Sequence, residues 1–566
     1  MTSKTMKKLL TPLLCIAMLS TVACASETKG NGTTSGASSA GGNSASVTVA
    51  SAVTDETITA SETTSEFSIT TTDGAYSNNG NVYTITAAGT YSLSGYLEGQ
   101  ILVEAGEEDE VVIELNGVTI KNSSDSPIKA TSAASVDISA KKDTENVIVD
   151  ERSVKTVDSD TLGEGAIYAK ADLKLKGTGT LVVTGNYNNG VHTTKDLKIQ
   201  KLSLKVTAYN NALKGNDSIT VLSGAVVAVS TNGDGVKTQN TDANKSGVTR
   251  GDVTITGAAS LTVYAAGDGV QAAHNFTMEA DADGYAPTVI VYTGSYSGYT
   301  ASSASTTSYK GVKVQNVLTI SAGVIDIKSY DDGLHADYGT TFTAGGTGLG
   351  TIEITGGTVT MNVYSPTSTT GGGKAGPGFG GWGGWGGQQT VSGADAIHAD
   401  YVLNISGGTI EIDSSYEGLE ANVINVSGGN IRVTANDDGL NACKGKTTPQ
   451  IIISDGYLDV TVSPAGDTDG IDSNGNYTQT GGIVITRGPN SQMAAAIDYD
   501  GTASITGGTI IILGYGSITK ESSVKAYNLS LQSSGSHTVT IGGTSYSFTN
   551  AYTYGRTTCY SSVAVS

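Results

Sequence analysis

Helical periodicity is missing from this 566-residue chain: no segment places apolar residues at i, i+3 and i+4 over several turns. That excludes a helical bundle and makes crossover helices unexpected. Aromatic residues are scarce at 6%, and charged residues make up only 15%. Cations are the scarcer sign, 32 Lys and Arg against 53 Asp and Glu. The imbalance argues against a nucleic-acid partner, whose phosphates need a basic face, and favours bound cations. With 4 cysteines in the whole chain, a disulfide scaffold is excluded. Beyond the first residues no stretch is long and apolar enough to span a bilayer. What is abundant is glycine, 75 residues, together with Thr, Ser, Val and Ile. This is material for many short strands joined by tight turns.

The N-terminus reads as a sorting signal. Lys4, Lys7 and Lys8 precede an apolar run from Leu9 to Leu19, and small residues follow up to Cys24. The stretch "TVAC" resembles a bacterial lipobox in which Cys24 becomes the lipidated first residue, although Thr21 stands where leucine is preferred. Residues 1–23 are therefore expected to be a signal peptide and 24–50 a Ser/Gly/Thr-rich tether. The expected location is the cell surface, lipid-anchored or secreted, with no membrane contact except through that lipid. Cys443 and Cys559 would then remain, with one bridge between them possible.

The stretch "YEGLEANVINVSGGNIRVTANDDGLNA" repeats itself: Glu417 to Ala421 returns as Asp438 to Ala442. The same pattern of acid or amide, Gly or Ala, aliphatic, polar and small residue recurs from Ala166 to Ala496, with several intervals of 21 to 24 residues. Between copies lie pairs of alternating strands hinged at Gly-Gly, such as "VLNISGGTIEI" from Val402 to Ile412. Three short strands that return to the same phase in about 22 residues describe one coil of a parallel β-helix. The expectation is an all-β, right-handed parallel β-helix of about 13 coils with end caps. Residues 51–160 form the N-terminal cap and first coils, 161–520 the regular coils with a Gly-rich insert at 366–394, and 521–566 the C-terminal cap.

Side chains alternate across a strand, so the residue after each aliphatic ladder position faces outward. From Gly333 onward the outward positions hold His335 and Asp337, His398 and Asp400, Glu420 and Asn422, Asn441 and Cys443, Asp472 and Asn474, Asp498 and Asp500. The acids before the glycines, including Asp332, Asp395 and Asp438, are expected at a corner, because burying an unpaired carboxylate is costly. Carboxylates on adjacent coils would repel, and calcium, bound by oxygen at about 2.3 to 2.6 Å, fits between them. Candidate ligands are Asp472, Asn474, Asp498 and Asp500 as one cluster, Asp332, Asp337, Asp395 and Asp400 as another, and Glu420 and Asp438. The alternative is that these are turn residues and solubilising surface acids. His335 and His398 lack zinc spacing and read as exposed ladder residues. Sugar rings could stack on Trp382 and Trp385 in the Gly-rich insert, or on Tyr338, Tyr401 and Tyr416 near the acids.

The stretches "GTYSLSGYLEGQILVEA" from Gly89, "NGVTIKNSSDSPIKA" from Asn116, "DDGLHAD", "GADAIHAD" and the Gly-rich insert resemble a family of bacterial exported carbohydrate-binding β-helices, similar in fold to pectate lyases. The resemblance covers roughly Ala50 to Gly514. It implies calcium-assisted, non-catalytic attachment to cellulose or polygalacturonate by a monomer. Two alternatives stay open. A lyase would pair calcium with a basic side chain, and Lys214, Lys237 and Lys313 share one outward ladder position. A structural surface adhesin would need no small ligand.

Overall fold

The short β-branched runs become strands, and almost nothing else forms. The computed structural model describes residues 47–54, 57–156, 161–299, 308–338, 350–364, 393–492 and 494–566, all within one compact unit. Cys24, Trp382 and Trp385 lie outside these residues, as do the sorting signal and most of the tether. Among the described residues the helical content is the 3-10 turn Gly294–Ser297 and a 3-10 residue at Thr57, and no helix is long and apolar enough to cross a membrane. One sheet of 44 strands carries the architecture, and its pairings are overwhelmingly parallel.

The pairing pattern explains the sequence repeat. Each strand pairs with the strand of the same phase in the next three-strand unit. Val312–Val314 pairs with Leu334–Ala336, which pairs with Ile397–Ile405, and that strand pairs with Leu419–Thr434. Register places Leu419 against Leu440 and Leu440 against Ile471, all fully buried. Units 333 and 396, separated by the Gly-rich insert, are true neighbours, because Leu334 lies against Ile397. Aliphatic columns from all three strands form the core, which runs as one continuous cluster from Ile69 to Val524. Polar columns form outside it, as where Asn425 donates to Asn404 at 2.8 Å and Asn404 to Glu353 at 2.7 Å.

Two glycine positions are set by geometry. At the hinge between second and third strands, Gly408, Gly429 and Gly508 adopt φ of 85°, 91° and 81°, a region that disfavours any side chain. At the corner before the first strand the reason is space. A Cβ on Gly439 would lie 2.2 Å from Val460 Cγ1 and 2.6 Å from the Gly470 carbonyl oxygen.

Antiparallel pairing appears at both ends of the sheet. Ser68–Thr71 runs antiparallel to Gly89–Glu98, and Thr557–Ser561 covers Thr509–Leu513 in the same manner, so these exposed edges are paired. Fully buried Arg487 ties the last units to the C-terminal segment. It donates to Asp459 and to the Val460 carbonyl, reaches Asn550 Oδ1 at 2.7 Å, and its guanidinium lies 5.1 Å from the Phe548 ring centroid. The chain is already ordered before residue 51: Thr48–Val49 pairs with Tyr285–Ala286, and Ile58 packs near Val227 and Val229. Cys443 and Cys559 are both free thiols, so the possible bridge does not form.

Gly439→Ala is expected to destabilise the chain by about 1 to 3 kcal/mol through overpacking. Val460→Ala in the same chain should return part of that loss, measured as a shift in the urea midpoint. Equal losses with and without Val460→Ala would refute the steric account of the corner glycine.

Candidate metal and ligand site

The corner preceding the first strand is a column of side chains that serve the neighbouring backbone. Asn189 Oδ1 accepts the Asn211 N–H at 3.2 Å, Asn211 Oδ1 accepts that of Asp234 at 3.2 Å, and Asp234 Oδ1 accepts that of Asp268 at 2.9 Å. The device continues as Asp268 to Lys310 at 2.8 Å, Asp332 to Asp395 at 2.8 Å, Asp438 to Asp469 at 2.9 Å and Asp469 to Ala495 at 2.6 Å. Acids do stand at the corner as the sequence implies, but they are buried there. Asp332, Asp395, Asp438 and Asp469 are each less than 9% exposed. Accepting a backbone N–H makes that burial tolerable.

Three positions along, the outward ladder of the first strand runs in register from Lys129 through Tyr168, His192, Lys214, Lys237, Gln271, Lys313, His335, His398, Glu420 and Asn441 to Asp472 and Asp498. Its first half is basic and its second acidic. The two signs meet at the histidines. Contrary to the reading of His335 and His398 as exposed ladder residues, His335 is 7% exposed and His398 half-buried, with rings stacked 4.7 Å apart at 10°. Corner acids and ladder acids flank the rings.

His335 Nδ1 faces Asp332 at 2.7 Å and its Nε2 faces Asp337 at 2.6 Å. His398 Nδ1 faces Glu420 at 2.8 Å and Asp395 at 3.0 Å, while its Nε2 faces Asp400 at 3.2 Å. Asp400 Oδ2 also accepts the Tyr338 N–H at 2.9 Å. Lys310 closes the other side, 2.6 Å from Asp332 and 3.0 Å from Asp331. Burial opposes charge throughout this cluster, and the partners decide the outcome. Burial alone would raise Asp332, yet Lys310 and His335 hold it well below the usual carboxylate range. Burial likewise opposes Glu420 and Asp337, but hydrogen bonds from His398 and His335 bring each down to about 2. Burial and the nearby Glu420 push Asp395 well up. The three surrounding acids overcome burial and hold His398 charged far above its ordinary range.

Among the described residues, four groups of possible metal ligands have donor atoms within 4.8 Å of one another: Asp332, His335 and His398; Asp395, His398 and Glu420; Glu417, Asp437 and Asp438; and Asp438, Asp469 and Asp472. Of the expected cluster, Asp332 and Asp395 fall in separate groups, and Asp337 and Asp400 face the far nitrogens of His335 and His398 outside either group. The other expected cluster is assembled only in part. Asp472 lies against Asp498 in register and receives the Asn474 amide at 3.4 Å, but Asp498 and Asp500 are exposed, and the compact grouping joins Asp472 to Asp438 and Asp469. Asp437, Asp469 and Glu417 belong to the site by position. The acid doublet Asp437-Asp438 and the phase of Asp469 were the available signals in the sequence.

Tyrosines flank this corner. Tyr330, two residues before Asp332, stacks on Tyr364 with centroids 4.2 Å apart, Tyr309 meets Tyr330 edge-on at 6.0 Å, and Tyr296 nearby is 38% exposed. Of the expected sugar platforms, Tyr416 packs over Gly393, where a Cβ would lie 1.7 Å from the ring. Burial and Asp437 push the Tyr416 hydroxyl far up. Tyr338 is half-buried with the Lys446 ammonium 5.1 Å from its ring centroid, and Tyr401 is half-buried. The Tyr309–Tyr330–Tyr364 group was legible only in part, because Tyr364 sits at the edge of the insert and takes its place through strand register.

Residues 79–367 and 383–553, well over half of the chain, match the family described as Carbohydrate-binding domain-containing protein. A protein of the same description from Acetivibrio thermocellus is 40% identical over 126 residues, which cover 22% of this chain and 44% of the relative. The match therefore spans under half of that relative's length. A solved structure of a polysaccharide lyase-like protein from C. thermocellum, a gadolinium derivative, is 32% identical with a TM-score of 0.33, covering 38% of this chain and 85% of that one.

In the basic half of the ladder, His192 is 3% exposed and its buried Nδ1 lacks a hydrogen-bond partner among the described residues. Burial, and then Lys214, depress its pKa from 6.5 to about 4. The folded state favours the neutral ring, so the stabilisation is full above pH 6.5 and is lost as pH falls toward 4. The expected loss is about 3 kcal/mol over that window. His192→Gln should flatten this part of the stability-against-pH curve. An unchanged slope would show that His192 is not the titrating group.

Proposed function

We propose, on the premise that the chain belongs to the family of carbohydrate-binding domain-containing proteins, that it is a non-catalytic binder of a plant-type polysaccharide, cellulose or polygalacturonate, with calcium assisting. One observation carries the reading: a patch of stacked tyrosines borders a corner lined with buried carboxylates. Tyr330 and Tyr364 offer ring faces to a sugar's apolar face, and Tyr309 supports them. The neighbouring oxygen-only groups, Glu417 with Asp437 and Asp438, and Asp438 with Asp469 and Asp472, match the preference of calcium for carboxylate donors. A calcium ion there would offset repulsion within the column or bridge to a uronate. Among the other expected ligands, Asp498 and Asp500 extend the acidic end outward.

The stacked three-strand units support a right-handed parallel β-helix of about 13 coils, since parallel crossovers are right-handed almost without exception. Export, with lipid attachment at Cys24, follows from the sorting signal and would present the tyrosine patch at the cell surface.

A specific observation keeps the lyase reading alive. Lys237 pairs with Asp234 at 2.7 Å and Lys313 with Asp337 at 3.6 Å, whereas Lys214 makes no ion pair among the described residues. Burial lowers the Lys214 pKa, which favours a role as base.

Pull-down on insoluble cellulose and on pectate, each with and without chelator, separates these readings. Tyr330→Ala and Tyr364→Ala should each weaken capture by about 1 kcal/mol or more. Asp438→Asn should remove the chelator sensitivity. Capture untouched by both tyrosine changes would refute the assigned face. Incubation with polygalacturonate and calcium should give no rise in ultraviolet absorbance from unsaturated product, and a rise abolished by Lys214→Ala would establish the lyase.

A further inference from the structure

The imidazole-containing groups differ in chemistry from the oxygen-only groups beside them. At His398 Nδ1, two carboxylate oxygens converge, Glu420 Oε2 at 2.8 Å and Asp395 Oδ2 at 3.0 Å. The far ring nitrogen, Nε2, already has its own carboxylate acceptor in Asp400 at 3.2 Å. The charged ring places its Nδ1 proton between these two carboxylates, a position that a divalent cation could take in the proton's stead. A single proton can form a good hydrogen bond to only one of the two oxygens, whereas a metal ion engages all three atoms at once.

We propose that Asp395 Oδ2, His398 Nδ1 and Glu420 Oε2 form a site for a divalent transition-metal ion of the zinc class, distinct from any calcium held by the oxygen-only corner. The three donor atoms lie within 4.8 Å of one another, and a small ion with bonds of about 2.0 to 2.2 Å would bridge them once the 2.8 and 3.0 Å hydrogen-bond contacts open by about half an ångström. Imidazole as a ligand selects zinc, copper or nickel over calcium. The second sphere is in place: the Nε2–H of His398 donates to Asp400, the carboxylate–histidine–metal arrangement that fixes tautomer and ring orientation. Asp400 is itself held by the Tyr338 N–H. The stacked His335, gripped by Asp332 and Asp337, covers one face of the His398 ring. Asp395 is buried and His398 and Glu420 are largely so, which distinguishes the group from acids on an open surface. The inference is independent of polysaccharide binding.

The test is calorimetric titration of the chelator-stripped full chain with zinc chloride in the presence of excess calcium chloride. The expected result is zinc binding that calcium does not displace, weakened on the order of 100-fold by His398→Gln and by Glu420→Gln. Zinc that binds no more tightly than calcium, or equally in wild type and both variants, would overturn the proposal. Since either variant could misfold, anomalous scattering at the zinc edge from wild-type crystals gives an independent reading. A peak between Asp395, His398 and Glu420 supports the site, and zinc peaks only elsewhere overturn it.

Discussion

Parallel registry between successive three-strand units is the constraint on which everything else rests. Each strand satisfies its backbone groups only through the strands of the same phase before and after it, so every loop must leave the sheet and re-enter without changing phase. The long insertion between Gly333 and Ala396 obeys this, since Leu334 still meets Ile397 and Ile352 meets Leu403. A one-residue slip would turn the Leu419, Leu440 and Ile471 column outward and bring the ladder acids into the core. The corner glycines enforce the same phase sterically, because the chain passes too close to the next unit's carbonyl for a side chain to fit.

Registry also explains why acids collect at one corner. A corner N–H in one unit faces the side chain of the equivalent residue in the unit before, and an oxygen there satisfies it. Asparagine performs this task early in the chain at Asn189 and Asn211, and aspartate performs it later from Asp234. The change from amide to carboxylate turns a purely structural column into a charged one. Where lysine and histidine interleave, as around Asp332, the charge is balanced and the acids are held ionised. Where acids follow one another, as from Asp395 to Glu417, burial and mutual repulsion drive their pKa values up. That gradient makes the later units the more acidic end of the column.

The strands, their three-per-unit phase, the Gly-Gly hinges and the aliphatic ladder were legible because each depends on a local pattern repeated many times. Alternation identifies a strand, and a repeated glycine identifies a corner. The candidate acids were legible for the same reason. The histidines were misjudged because solvent exposure was inferred from strand parity alone. Parity places His335 and His398 on the outer face, but it carries no information about the corner acids and lysines that close over them. The Tyr330–Tyr364 stack escaped for a related reason, since the two rings are 34 positions apart in sequence and meet only through register.

The sequence by itself determined an all-β chain, the phase of its units, the columns of like residues and the excess of negative charge, because these follow from side-chain period and composition. Only the tertiary structure decided which acids are buried, which nitrogen faces which carboxylate and where basic and acidic halves of one ladder meet. Those are distances between residues brought together by stacking, and the protonation of each group depends on the neighbours that stacking supplies.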